Sequence, residues 1–157
     1  MTAISIEARL KALGVDLPSP AAPVANYVPF APGGGLVFIS GQVSSAPDGG
    51  VKGVVGGDLT LQQGQAAARL CAVNLLAQMR AAAGGELARV VRVVKLGGFV
   101  QASADFVEIP AVMNGCSDLI ADALGAAGRH ARSAVGVYRL PLGYAVEVDA
   151  IVEIAGS

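Results

Sequence analysis

One histidine, two cysteines and no tryptophan occur among the 157 residues, and each scarcity removes a class of chemistry. A lone His130 with Cys71 and Cys116 cannot furnish a paired-histidine site or a Cys/His zinc cluster. Charge is scarce too: 15% of residues are Asp, Glu, Lys or Arg, against about 25% in ordinary globular chains. Eleven Lys and Arg against twelve Asp and Glu leave a net charge of −1 with no block of like charges. No electrostatic footprint for nucleic acid or an anionic membrane follows from that balance. Aromatic residues, at 4%, are few for a surface that stacks unpaired bases.

Apolar residues are what the chain has in plenty, 54% of it, with a mean hydropathy of +0.59. The length suits one domain with a single sizeable core. The uncharged run from Leu17 to Pro47 would be suspect as a membrane span, but it holds six of the eight prolines and the Gly33-Gly34-Gly35 cluster. No spanning helix survives that composition. Near the N-terminus Glu7, Arg9 and Lys11 alternate with Ile4, Ile6, Leu10 and Leu13 on a helical pattern, which leaves no apolar core for a signal peptide. The expected location is the cytoplasm, where two cysteines on separate helices serve as small buried hydrophobes.

Residues 1–23 read as an N-terminal helix and a proline-rich strap, Asp16 to Pro23, and 24–157 as the main domain. Asn26 to Phe30 and Leu36 to Ser40 are β-type runs around Ala31-Pro32-Gly33-Gly34-Gly35, a hairpin loop rather than a phosphate cradle, because no helix start follows the glycines. A glycine-rich loop with one short strand around Val51 to Val55 leads to Thr60. There a capping box with Gln63 opens a long helix that stops at Gly84-Gly85. Gln62, Gln65, Arg69 and Arg80 form a stripe on that helix, expected to be its solvated face.

Val90 to Gln101 reads as a central strand covered on both faces, with a bulge or close backbone approach at Gly97-Gly98. A second helix is expected from Pro110 to Leu124, with Gly125 as its stop. Two further strands, Ser133 to Arg139 and Ala145 to Ala155, are joined by Leu140-Pro141-Leu142-Gly143. In the last of them Val146, Val148, Ala150, Val152 and Ile154 share one face, while Glu147, Asp149 and Glu153 lie on the other. The order predicts an α+β sandwich, a mixed β-sheet with two helices on one face and the second face bare.

Two charged residues stand out. Arg132, among small neighbours in Ala131-Arg132-Ser133-Ala134, has room to present its fork to a carboxylate, or it pairs with Glu147 or Asp149 on an adjacent strand. Glu147 can orient a water or hold a proton if its face is covered, or it is merely solvated. His130, two positions before Arg132, is a further candidate base, though it shares a face with Arg132 only if the strand already runs there.

Tyr27-Val28, Phe38-Ile39-Ser40-Gly41-Gln42, Ala131-Arg132-Ser133-Ala134-Val135, and Leu140-Pro141 followed by Val146-Glu147-Val148-Asp149-Ala150-Ile151-Val152 resemble, in order, the YjgF/RidA family, also called endoribonuclease L-PSP. The resemblance runs from about Val24 to Ile154 and is nearest to the longer YjgF-like subgroup with an extra N-terminal segment and a glycine-rich insertion near Ser45–Gly57. It implies a chorismate-mutase-like fold in a homotrimer, with the sheets forming a central barrel and clefts between subunits. It further implies a hydrolase without metal or organic cofactor, a deaminase turning 2-imino or 2-enamino acids into 2-oxo acids and ammonia. By position, Arg132 would grip the substrate carboxylate and Glu147 would orient or deprotonate water. Tyr27 would line the cleft, Ser40 and Gly41 would supply polar and backbone contacts, and Asn114 matches a helix asparagine of the family's site. The cysteine that often follows the Arg-Ser pair is Ala134 here, which removes thiol chemistry at that position. A non-catalytic trimeric binder of small carboxylate metabolites and an endoribonuclease are the alternative readings.

Overall fold

The computed structural model describes residues 4–20, 22–23 and 25–156. Helix α1 (Ile6–Ala12) is capped by the Ser5 side chain, which accepts from the Ala8 amide. Two strands follow, β1 (Phe30–Gly33) and β2 (Leu36–Val43), then the long helix α2 (Leu61–Ala82). Strand β3 (Val90–Gln101), helix α3 (Ile109–Leu124), β4 (Ala131–Val137) and β5 (Val146–Ile154) complete the chain. The strands form one mixed sheet in the order β1-β2-β5-β3-β4, antiparallel except for the parallel pair β3 and β4. No helix among the described residues is long and apolar enough to cross a membrane.

Local chemistry accounts for the elements. The β1–β2 hairpin turns on Gly34 and Gly35, both with positive φ (62° and 81°), the geometry a two-residue turn needs to follow the strand twist. The hairpin expectation therefore holds, but β1 starts at Phe30 rather than Asn26 because Ala31 to Gly33 pair as strand instead of looping. Thr60 and Gln63 form the reciprocal capping box of α2, a feature worth about 1 kcal/mol. Around Val51 to Val55 there are isolated bridges from Lys52 to Tyr144 and from Val55 to Leu59 and Ala102, not a strand.

Helices α2 and α3 pack on each other and on one face of the sheet. Leu75, Leu76, Met79, Met113, Leu119 and Ile120 meet the inward residues of β3 and β5 in the core. Cys71 and Cys116 are free and buried in that layer. Burial, foremost, pushes both thiols up, Cys116 to about 12, so neither is a ready nucleophile. On the opposite face Phe38, Val91 and Val135 are 47%, 49% and 46% exposed.

Three expectations are corrected. The last two strands are not neighbours: the crossover through α3 makes β4 parallel to β3, and β3 lies between β4 and β5. Within one chain β3 is covered on one face only, since Val91 and Lys95 are exposed while Val93 and Leu96 are buried. Its register is regular at Gly97-Gly98. The glycines there serve close approach, because a side chain at Gly97 would collide with Asp149 and one at Gly98 with Met113. Finally, the polar stripe of α2 is not simply solvated. Arg69 donates to the Leu13 carbonyl, Arg80 to those of Leu17 and Pro18, and Gln65 to that of Ala111.

Candidate functional site

Strand register separates the two principal charges. Leu96 on β3 pairs with both Arg132 and Ala150, and Leu96 and Ala150 are buried under the helices, so Arg132 lies on the helix face. Phe99 pairs with Val135 and Glu147, which puts Glu147 on the bare face. Arg132 and Glu147 are thus on opposite faces and two strands apart. An Arg132 ion pair with Glu147 or Asp149 is excluded by this geometry; the ion pair found among the described residues joins Arg92 to Glu153.

Arg132 is held by α3 instead. Its Nη1 donates to Asn114 Oδ1 at 3.0 Å and to Ser117 Oγ at 3.1 Å, and its Nη2 donates to the Pro110 carbonyl at 3.3 Å. Of five N–H donors in the guanidinium, Nε–H and one Nη2–H are left without an acceptor among the described residues. Pro110 at the helix start, Asn114 one turn on and Ser117 three residues later line one side of α3. His130 joins this group, with Nε2 at 2.9 Å from Ser117 Oγ and Nδ1 at 2.6 Å from the Gly128 carbonyl. It precedes the first strand residue, and Ser117, not the strand, links it to Arg132. Composition did not single out Ser117; its spacing of three from Asn114, on a helix otherwise apolar toward the sheet, is the signal that could have.

At the other end of the sheet Tyr27, Pro29, Ser40, Gly41, Tyr144 and Glu147 line a cleft of about 510 Å³. The β2–β5 register shifts between Ile39 and Gln42, and this bulge turns Ser40 and Gly41 toward the cleft. Ser40 Oγ donates to the Val28 carbonyl at 2.7 Å, and the Ser40 amide donates to that of Pro29, pinning the Tyr27 segment alongside. Gly41 lies so close under Glu147 that any side chain there would overlap the carboxyl group. Burial raises the Glu147 carboxyl above its ordinary range, and the charge of Asp149 adds to this. Asp149 is also raised by burial, opposed by the Gly97 N–H and by Lys95.

Leu142 stands at the mouth of this cleft with a positive φ of 56° and 80% of its surface exposed. Non-glycine residues pay for that backbone conformation. The sequence reading missed it, for Leu-Pro-Leu-Gly gives no sign of which residue turns left-handed. Tyr27, Ser40, Gly41 and Glu147 are therefore brought together on one surface and Arg132 and Asn114 on another, and one chain does not join the two groups. Among the described residues no group of three or more His, Cys, Asp or Glu side chains could hold a metal ion.

A helix-backed mixed sheet carries a cleft with a carboxylate on one surface and, on another, an arginine held by a helix with no acidic partner among the described residues, in an α+β protein. The chain belongs to the family described as "YjgF/chorismate_mutase-like, putative endoribonuclease", whose model matches residues 7–154. It is 50% identical over 151 residues to the protein TCP17 of Trypanosoma cruzi, spanning 95% of this chain and 94% of that protein. The crystal structure of Atu1372 from Agrobacterium tumefaciens, a protein of unknown function, is similar at 51% identity and a TM-score of 0.90, over 95% of this chain and 92% of that one. E. coli TdcF with bound serine is similar at 26% identity and a TM-score of 0.62, over 90% and 98%.

Proposed function

We propose that the chain assembles as a homotrimer and hydrolyses 2-imino or 2-enamino acids to 2-oxo acids and ammonia in clefts between subunits. The observation that carries this reading is the division of the site. An arginine with an open fork and, among the described residues, no acidic partner, and a carboxylate cleft on the opposite face, make one site only if a neighbouring subunit brings the second half. Trimer formation would also cover Phe38 and Val135 on the bare face.

In this cleft the Nε–H and free Nη2–H of Arg132 bind the substrate carboxylate, with Asn114 beside it. Glu147 of the other subunit holds a water against the imine carbon. An enamino acid first tautomerises to the imine, C3 gaining the proton that the nitrogen gives up. Water then adds to the C=N carbon as the Glu147 carboxylate takes one of its protons and passes it to the nitrogen; the hydroxyl proton of the resulting carbinolamine follows by the same route as the C=O forms, and the C–N bond breaks to release ammonia. A carboxyl raised above its ordinary range by burial holds a proton more strongly than a solvated one, which suits it to taking one and returning it. Imines are already electrophilic, so orientation with modest acid–base help is enough.

TdcF with bound serine favours a second reading, a trimeric binder of small carboxylates that does no chemistry. An RNA-cleaving role, suggested by the family's description, has little support from a chain of net charge −1. The test generates 2-aminoacrylate with a serine dehydratase and follows pyruvate release. The wild-type chain should accelerate release, and Arg132→Ala should lose about 100-fold of that acceleration. No acceleration, or undiminished acceleration in Arg132→Ala, overturns the deaminase; binding of pyruvate without turnover leaves the binder standing.

A further inference from the structure

We infer that His130 is a positioning residue for the Arg132 guanidinium, acting through the Ser117 hydroxyl. The inference rests on the reading that Arg132 takes the substrate carboxylate. Three contacts impose one proton arrangement. The Gly128 carbonyl can only accept, so Nδ1, 2.6 Å away, carries a proton. A neutral ring then has its lone pair on Nε2, and the Ser117 hydroxyl at 2.9 Å donates to it. With its proton committed to the ring, Ser117 Oγ presents lone pairs to Arg132, whose Nη1 donates at 3.1 Å.

The ring therefore sets the polarity of the hydroxyl. Without an acceptor at Nε2, the hydroxyl can rotate its proton toward the guanidinium and oppose one donor with another. Gly128 anchors the far end of this chain. It is buried so tightly against the α3 backbone at Ile120 and Ala121 that no side chain fits there, which fixes its carbonyl under the ring. Asn114 and Pro110 still hold Arg132 when His130 is lost, so the fork loosens rather than detaches.

The experiment measures pyruvate binding to the full-length chain by calorimetry, with the melting temperature of every variant. Arg132→Ala should abolish binding. His130→Ala and Ser117→Ala should each weaken it by about three- to tenfold, and the double variant should lose no more than either single one, because both break the same chain. His130→Gln, whose amide oxygen can accept the Ser117 proton, should stay within about twofold of wild type. Wild-type affinity in a folded His130→Ala, losses that multiply in the double variant, or an unrescued His130→Gln overturns the inference. If His130→Ala does not fold, Ser117→Ala and His130→Gln decide the matter. Pyruvate binding that survives Arg132→Ala would instead overturn the carboxylate reading itself, and the inference with it.

Discussion

Burial and the neighbouring Asp149 charge both raise the Glu147 carboxyl above its ordinary range, so the folded chain keeps a proton that the unfolded chain releases. The contribution to stability is full below the unfolded value, about 4.3 for a glutamate, and is lost as pH rises through the raised folded value. Glu147→Gln removes that dependence. At pH 7 the variant should melt at or slightly above the wild-type temperature, a gain of at most about 1 kcal/mol for a half-exposed group. Its melting curve against pH should be flatter, with the residual slope owed to Asp149, whose carboxyl is also raised by burial. Melting temperatures from pH 4 to 8 read this directly, and a Glu147→Gln variant less stable than wild type at pH 7 would show the carboxylate to be a structural partner. Parity along β5 was enough to put Glu147 on the outward face. Parity along β4 could not do the same for Arg132, since its face depends on the pairing with Leu96 of β3, a contact between residues far apart in the chain.

At the scale of elements, α2 does more than cover the sheet. Its Arg80 donates to the carbonyls of Leu17 and Pro18, and Arg69 to that of Leu13, so the helix straps down an N-terminal segment whose prolines cannot donate backbone bonds of their own. Arg80→Ala should cost about 1 kcal/mol and speed amide exchange at the non-proline residues from Gly14 to Ser19, leaving exchange within α2 unchanged. Hydrogen exchange read by mass spectrometry checks this; protection of that segment equal to wild type would mean that its packing alone holds it. Caps, helix spans and strand periodicity were readable because each depends on residues within a few positions. The stripe's role was not: periodicity marks a side of α2 as polar but cannot say that another part of the chain lies across it. The order of the last strands escaped for the same reason, a short connection suggesting a hairpin where the crossover through α3 had already set β4 beside β3.

For the whole molecule, an apolar, lightly charged composition is matched by a sheet with helices on one face and half-exposed Phe38, Val91 and Val135 on the other. A sheet does not leave such a face to water without cost, and in the proposed trimer the same closure that covers it would join Arg132 to Glu147. That coupling can be tested without disturbing the interface. Arg132→Ala and Glu147→Gln chains, each expected to keep no more than about a hundredth of the activity alone, are mixed in equal amounts, dissociated and reassembled. If each cleft draws its arginine from one subunit and its glutamate from the next, about one cleft in four receives both intact residues by random assortment around the ring. The mixture should recover about a quarter of wild-type deaminase activity, and sedimentation equilibrium should give three times the monomer mass before and after. Recovery requires the two residues to act across an interface, since no single chain in the mixture carries both. A reassembled trimer with no recovered activity would put the reacting groups within one subunit and overturn the divided site.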